Sequence, residues 1–356
     1  MDQLKLMQEI TNAFGPPGFE EEVVAVMRRY THKDAIAHED SLRNYYLRRP
    51  MDQGSDKPIV MLDAHSDEVG FIIQSIQPNG LMRFMPLGGW VNHTVPAHRV
   101  LVRNRKGELC PGIIASKPPH YLSQQERNAP LDISTMCIDV GACSAQEVDE
   151  VFDIGIGAPV SPDTKFEYNE KTDVMMAKAF DCRAGCACVL DVFNTLIAEE
   201  LGVQVVGALS TQEEGGIRGA VVTANSVQPD VAICFEGCPA DDNFAESWAI
   251  QTGLKRGPML RHIDAGMITN PRFIKFAIET AKAEGIKIQE AVRTGGSTNG
   301  AAIHLSNRGV PTIVIGIPVR YIHTHYGYAT KEDAMQCVKL GIAILKNLNK
   351  QIIDSF

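Results

Sequence analysis

The sequence has few of the features that mark secreted, membrane-spanning or nucleic-acid-binding proteins. Only two of its 356 residues are tryptophan, and no apolar run reaches the ~18 residues that a membrane-spanning helix needs. Acidic residues outnumber basic ones by 43 to 34, which argues against nucleic acid or an anionic membrane as the main partner. The nine cysteines form no paired CxxC framework, so we expect reduced thiols. Because no basic and apolar leader is seen either, a cytoplasmic protein is favoured.

The remaining composition is that of an α/β protein with more than one domain. A hydrophobic content of 44% is ordinary for a globular chain, and the length exceeds the ~250–300 residues at which single cores stop growing. Apolar runs at 59–64, 203–209, 230–235 and 311–318 alternate with helical patterns, which predicts a mostly parallel sheet covered by helices.

The texture changes between residues 69 and about 166, where short β-like runs are separated by Gly, Pro and Asn. The runs lie at 70–76, 81–85, 99–103, 112–115 and 154–156. Residues 123–128 are predicted to form an exposed loop. We therefore predict a discontinuous catalytic domain of residues 1–67 and 166–356, with a small β-rich domain inserted at 68–165.

A pair of adjacent glutamates, Glu213 and Glu214, follows the apolar run at 203–209 and precedes two glycines. Like charges at this spacing raise each other's pKa, and burying both is costly unless a cation compensates. With a divalent cation present, one glutamate can ligate the metal while its neighbour stays free as a base. The alternative is a solvated Glu-Glu turn, which the pair alone would not exclude.

Other chemistry-bearing side chains follow the same apolar runs. His65, Glu236 and His323 each lie at or just beyond one of them, and Asp181 precedes a predicted helix that starts near residue 183. The carboxyl ends of parallel strands meet at one edge of a sheet, where ligands gather. Each residue alone is compatible with a structural role, but together they indicate a metal site. Two histidines and three carboxylates suit zinc, cobalt or manganese.

Five such ligands exceed what one open catalytic zinc requires, so a two-metal site with one bridging carboxylate fits better. Two metals can clamp a water, lower its pKa and polarise a carbonyl. Glu213 could then take the proton of the water and pass it to a leaving amine. Asp67, two residues after His65, could orient the imidazole. The sequence therefore predicts hydrolysis of an amide bond.

Four motifs carry a resemblance to a known family. They are HSDEVG at 65–70, FDCRAG at 180–185, TQEEGGIRGA at 211–220 and RYIHT at 320–324. In order and spacing they resemble the tetrahedral dodecameric metallo-aminopeptidases, the family of glutamyl and deblocking aminopeptidases. The likeness covers almost the whole chain.

The resemblance implies a set of residue roles. Two divalent metal ions would be held by five ligands, with Asp181 as the bridge and Glu213 as the general acid/base; the ligands are His65, Asp181, Glu214, Glu236 and His323. Cys182 departs from the family pattern, which usually has Asp or Asn after the bridging aspartate.

The resemblance also implies a fold and an assembly. A zinc-peptidase α/β domain would carry an inserted β-barrel-like, PDZ-like domain that mediates dimerisation. Dimers would assemble into a hollow homo-dodecamer that admits short peptides and removes their N-terminal residues.

Three other functions are compatible with the same residues. A deacylase would use the same dinuclear site on N-acylated substrates. A carbohydrate-active hydrolase is disfavoured because no aromatic platform for sugars is evident. A metal-stabilised shell protein without activity would not need Glu213.

His325, two residues beyond His323, would share its face if this segment were a strand.

Overall fold

The computed structural model describes residues 2–356, which form strands and helices in alternation. The strands are β1 (Ile36–Glu39), β2 (Tyr45–Arg48), β3 (Ile59–His65), β4 (Gly70–Ile76), β5 (Met82–Leu87), β6 (Arg99–Arg103), β7 (Leu109–Ile114), β8 (Cys137–Asp139), β9 (Pro159–Pro162), β10 (Glu167–Asn169), β11 (Val174–Ala177), β12 (Gln204–Ser210), β13 (Val231–Pro239), β14 (Met259–Ile263), β15 (Gln289–Val292), β16 (Thr312–Val319) and β17 (Gly327–Thr330). The α-helices are α1 (Gln3–Asn12), α2 (Glu21–Tyr30), α3 (Gln124–Asn128), α4 (Ala145–Glu150), α5 (Phe180–Thr195), α6 (Arg218–Val227), α7 (Pro271–Ala283), α8 (Gly300–Ile303), α9 (Lys331–Asn347) and α10 (Lys350–Ile353).

The large sheet has eight strands in the order β1-β2-β12-β3-β13-β16-β14-β15. Its centre, β12-β3-β13-β16, is parallel throughout, whereas β2 and β14 pair with this centre in the antiparallel direction. Every residue of β16 is buried, as expected for a strand covered on both faces. The predicted α/β fold with a mostly parallel central sheet is confirmed.

Helix α5 packs against β3, β13, α1 and α9, so neighbours cover it on most sides. Twelve of its sixteen residues are buried, including Leu190 and Phe193, which explains why its sequence lacks a polar stripe. By contrast α9 has a polar outer face and begins at a side-chain cap, because Thr330 accepts a hydrogen bond from the Asp333 amide. Helix α5 therefore packs directly against β3 and β13, two of the central parallel strands.

A closed six-stranded barrel with the order β4-β5-β8-β7-β6-β9 follows β3 directly. Its interior is apolar and includes Phe71, Val100, Val102 and Ile138, all fully buried. Along β6, buried residues alternate with more exposed ones, so Val100 and Val102 point into the closed sheet. A separate sheet of three strands pairs β11 with β10 and β17, and β11 ends shortly before the first residue of α5.

Two local predictions in this region are wrong. Residues 154–156 form no strand, because the chain turns at Ile156, whose side chain is 76% exposed. Ile154 is buried but pairs with none of the strands β1 to β17. Residues 123–128 are not an irregular loop: Ser123 and Glu126 form a reciprocal capping box that starts α3. Both errors arose where the segment is too short for hydrophobic periodicity to decide.

No helix within residues 2–356 combines the length and the apolar character needed to cross a membrane.

Candidate metal centre

The strand ends of the parallel centre bring three of the expected side chains together. His65 is the last residue of β3, and Glu213 and Glu214 follow the end of the neighbouring strand β12, which pairs with β3 up to Ser210 and His65. Glu236 differs from expectation because it lies inside β13, which continues to Pro239. The register pairs Cys234 with Asp63, so Glu236 lies level with His65 two residues later.

The other two side chains come from segments with unusual backbone. Asp181 and Cys182 have non-helical angles at the start of α5, and the peptide bond between them is cis. His323 lies in the turn between β16 and β17 with a φ of 57°, in the left-handed region that residues other than glycine rarely adopt. A left-handed φ at a residue other than glycine persists only where the surrounding structure holds it, and such residues concentrate at functional sites.

Asp181 lies between the two histidines. Its Oδ1 is 3.1 Å from Nε2 of His65, and its Oδ2 is 3.3 Å from Nε2 of His323. Glu236 Oε1 is 3.5 Å from the same nitrogen of His65, while Glu214 Oε1 is 3.3 Å from that of His323. The group therefore has two halves that share one carboxylate.

Glu213 belongs less closely to either half. Its Oε2 is 3.9 Å from His65 Nε2, the longest of these contacts, and its side chain is 13% exposed. Its neighbour Glu214 is 4% exposed and faces His323. The two adjacent glutamates thus have different environments, with Glu214 inside the group and Glu213 at its margin.

Asp67 contacts His65 and the backbone of both glutamates. Its two carboxylate oxygens accept the backbone amides of Glu213 and Glu214 at 2.9 and 3.0 Å, and Oδ1 lies 3.4 Å from Nδ1 of His65. The contact with His65 was expected from the sequence, but the hydrogen bonds from the backbone N–H groups of Glu213 and Glu214 were not. Asp67 is fully buried, so these contacts are shielded from water.

Burial and mutual repulsion perturb the titration of the carboxylates. Burial is the main reason that the pKa of Glu213 is raised to about 9 and that of Glu236 to about 8; neighbouring carboxylates act in the same direction, and His65 acts against them. Burial also acts on Asp181, but hydrogen bonds from His323 and His65 outweigh it and hold its pKa below the usual range. Burial alone would lower the pKa of His323, yet Asp181 and Glu214 raise it to about 11. The ionised carboxylates would therefore be stabilised by positive charge placed between them.

The residues fit divalent cations on two further observations. Oε2 of Glu236 is buried without any hydrogen-bond partner, which is costly for a carboxylate unless a cation binds it. The donor atoms also form compact groups: one consists of His65, Asp181, Cys182 and Glu236, with all four ligand atoms within 4.8 Å of one another, and another of Asp181, Glu214 and His323. Imidazole and carboxylate ligands suit zinc and related transition metals.

The barrel closes one side of the centre. A Cβ atom at Gly88, just after β5, would lie 2.8 Å from Oε2 of Glu214, and one at Gly89 would lie 3.1 Å from Nδ1 of His323. Gly88 also has a φ of +86°, which disfavours any side chain. The glycine pair therefore lets the barrel backbone lie directly against two of the candidate ligands.

His325 does not join the group. No strand contains it, and its buried ring stacks on His98 with the ring centroids 4.1 Å apart, facing the barrel. Burial, and then the neighbouring His98, lower its pKa to about 3. The two-residue spacing from His323 did not put both rings on one face, because the backbone turns between them.

Glu20 is a contact to the site that sequence reasoning missed. Its Oε1 accepts the backbone amides of Gly18 and Gln212 at 2.8 and 3.2 Å, so it fixes the residue before Glu213. Burial, followed by the charge of Asp67, raises the pKa of Glu20 to about 8. A run of three glutamates at 20–22 gave no signal that the first is buried and the others exposed.

Comparison with known proteins agrees with the geometry. A profile of the family described as M42 glutamyl aminopeptidase matches residues 50–340. The glutamyl aminopeptidase of Lactococcus lactis subsp. cremoris (strain MG1363) is 34% identical over 295 residues, which cover 83% of this chain and 82% of that protein.

Two solved structures are similar over nearly the whole chain. A TET aminopeptidase from the marine sediment archaeon Thaumarchaeota archaeon SCGC AB-539-E09 superposes with a TM-score of 0.94 at 36% identity, covering 99% of both chains. The TET1 peptidase of Pyrococcus horikoshii, described as assembling into a tetrahedron or a large octahedral shell, gives a TM-score of 0.85 at 25% identity and covers 98% of this chain and 100% of that one.

Proposed function

The chain belongs to the M42 peptidase family and is a metallo-aminopeptidase, and from this premise we propose a two-metal centre with Glu213 as its general acid/base. The single observation that carries the proposal is the placement of Asp181, whose two oxygens face two different imidazoles at 3.1 and 3.3 Å. A carboxylate in this position can serve two cations at once.

The proposed ligands divide between two divalent ions. His65 and Glu236 would hold one ion, His323 and Glu214 would hold the other, and Asp181 would bridge them. Three carboxylates offset most of the charge of two divalent ions. Zinc or cobalt is the proposed metal, with manganese also compatible with nitrogen and oxygen ligands.

When bound, the two ions would supply Lewis acidity at the scissile carbonyl and lower the pKa of a nearby water. Glu213 would remove the proton of the attacking water and deliver it to the departing amine. Its backbone is fixed by Asp67 on one side and by the Glu20–Gln212 contact on the other. A base held in this way needs little reorganisation during the reaction.

Replacement of the two glutamates one at a time tests these roles. We expect Glu213→Gln to retain both ions but to lower kcat for release of N-terminal amino acids by about 10²- to 10⁴-fold, the usual contribution of a positioned base. The adjacent isosteric change Glu214→Gln is the matched control and should instead lose metal, measured by elemental analysis after dialysis. Full activity of Glu213→Gln would overturn the mechanism.

Free and N-acetylated peptides separate the aminopeptidase from a deacylase on the same centre. An aminopeptidase should release the first residue only from the free-amine peptide. Release of acetate from the acetylated peptide, with the free-amine peptide left intact, would favour the deacylase.

We further propose that short peptides are the substrates of a cytoplasmic homo-oligomer, in which the inserted domain of residues 68–165 forms dimers that assemble into a dodecamer. The shells described for the Pyrococcus horikoshii relative support this proposal. Surface side chains such as Trp248, 86% exposed, and Phe244, 74% exposed, leave apolar area available for contacts between copies. Light scattering should report a mass near twelve chains; a stable dimer in metal-replete protein would contradict the dodecamer.

A further inference from the structure

A thiol lies within the candidate metal centre, on the side of His65 and Glu236. The sulfur of Cys182 and one ligand atom each from His65, Asp181 and Glu236 all lie within 4.8 Å of one another. Cys182 is fully buried, so its sulfur meets this group and not solvent. The corresponding group around His323 contains Asp181 and Glu214 but no sulfur.

A second observation points to a ligand at the same place. Oε2 of Glu236 has no hydrogen-bond partner within residues 2–356, and because the residue is only 4% exposed, bulk water does not satisfy this oxygen. Neither the histidine nor the aspartate of the group bonds to this oxygen. A cation between His65, Asp181 and Glu236 would satisfy it.

The local packing makes room for the sulfur. Sγ of Cys182 donates a hydrogen bond to the carbonyl oxygen of Phe235, at 3.0 Å, and so lies beside the backbone that leads into Glu236. A Cβ atom at Gly185 would lie 2.6 Å from this sulfur and 2.3 Å from the same carbonyl oxygen. The absence of a side chain at position 185 is therefore what allows the thiol to reach the group.

We propose that Cys182 is a thiolate ligand of the ion held by His65, Asp181 and Glu236. The inference rests on the two-metal centre proposed above and specifies its chemistry. As the metal–sulfur bond forms, the S–H proton leaves to solvent and no atom changes oxidation state. The hydrogen bond to Phe235 is given up in the same step.

A sulfur ligand makes the two halves of the centre unequal. One half would offer a nitrogen, two oxygens and a sulfur, which suits a tetrahedral thiophilic ion such as zinc, cobalt or cadmium. The other half would offer one imidazole and two carboxylates, which accept manganese equally well. The chain would therefore prefer zinc or cobalt over manganese at one position only.

Cobalt(II) alone is the probe for this proposal. The experiment uses full-length protein in which the exposed Cys143 and the half-buried Cys110 are changed to Ser, which removes the accessible thiols. During titration of the metal-free protein, we expect a thiolate-to-cobalt charge-transfer band in the near ultraviolet. It should grow with one of the two equivalents, while the visible ligand-field bands grow with both.

Two further variants test whether the charge-transfer band arises from Cys182. Cys182→Ser should abolish the charge-transfer band, keep the visible bands and weaken cobalt binding at one position by about tenfold or more. Cys186→Ser is the matched control: this thiol is equally buried and donates to the backbone carbonyl of His65, yet it is outside the ligand group, so the band should persist.

The outcomes separate this inference from the function on which it rests. Visible bands without a charge-transfer band in the parent protein would overturn the role of Cys182 and leave the metal centre intact. Absence of all cobalt bands would overturn both. If Cys182→Ser does not fold, X-ray absorption of the cobalt-loaded parent decides: a sulfur neighbour at about 2.3 Å supports the proposal, and a shell of only nitrogen and oxygen refutes it.

Discussion

Two buried charged clusters meet at residues 65–68, and they are built in opposite ways. On one side, His65 belongs to the candidate metal centre, in which carboxylates outnumber histidines. On the other, Glu68 is a single carboxylate between two cations, bonded to Lys178 at 2.6 Å and to Arg183 at 3.0 Å. Asp67 lies at the junction.

The cluster around Glu68 is satisfied by the protein itself. Lys178 donates to both oxygens of Glu68, to Ser161 and to the carbonyl of Ala13. Arg183 donates to Glu68 and to four backbone carbonyl oxygens, those of Ile10, Ala13, Gly15 and Ser66. The cluster thereby ties the N-terminal segment and barrel strand β9 to the helix that carries Asp181.

The metal centre lacks this internal balance. Glu236 retains an unpartnered oxygen, and the pKa of Glu213 and of Glu236 is raised by burial. Burial of charge therefore does not by itself identify a binding site. A structural cluster pairs its charges within the chain, whereas a ligand site leaves charge that only an added ion can balance.

The largest effect is expected from breaking the satisfied cluster. Glu68→Gln leaves two buried cations without their carboxylate and should lower the free energy of unfolding by about 3–5 kcal/mol, with or without metal. Denaturant unfolding of the metal-free protein measures it, and the exposed Glu170→Gln is the control. A loss below about 1 kcal/mol would contradict the structural role of the cluster.

Asp67→Asn attacks the junction of the two clusters. The amide group can accept only one of the two backbone N–H groups that the carboxylate now binds, so His65 and the glutamates lose their orientation. We expect metal affinity or kcat to fall by about 10- to 100-fold. Calorimetric titration with zinc and steady-state kinetics report the two quantities. The exposed Asp149→Asn should change neither.

Glu236→Gln should have the opposite sign to Glu68→Gln in metal-free protein. Burial raises the pKa of Glu236 from 4.5 to about 8, so the folded state holds the proton more tightly than the unfolded state and loses stability as pH rises between these values. The variant escapes this cost, and at pH 8 its free energy of unfolding should rise by at least about 1 kcal/mol, the equivalent of one pKa unit. At pH 4 the two proteins should be alike. Destabilisation at pH 8 in the presence of chelator would contradict the contrast.

The smallest effect concerns His325, whose ring stacks on His98 outside the metal centre. Its pKa is lowered from 6.5 to about 3, so the folded state keeps the ring neutral and stability falls as pH drops below 6.5. His325→Phe should remove this loss, worth less than about 1 kcal/mol at pH 6, and should leave zinc affinity unchanged. His323→Phe is the comparison variant and should lose zinc. Loss of zinc from His325→Phe would contradict the assignment.

Much of the fold followed from patterns that are local in the chain. The apolar runs before His65, Glu213 and His323 predicted buried parallel strands, and parallel strands bring their carboxyl ends to one edge. Glu236 was expected at the end of its strand, yet β13 continues past it, since apolar content alone does not show where a covered strand stops. Strand β9 was missed because its two prolines argue against a strand interior.

The types of side chain at the site and their positions after the apolar runs follow from the sequence, because hydrophobic periodicity and short motifs depend on neighbouring residues. Which charges are paired depends on the tertiary fold. Glu68 and Lys178 are 110 positions apart, and no local pattern shows that they bond while Glu236 is left with a free oxygen. The position of the Cys182 sulfur beside Glu236 belongs to the same class, because it depends on where α5 packs against β13. Distances between residues remote in the chain are set by packing, and packing is a property of the whole fold.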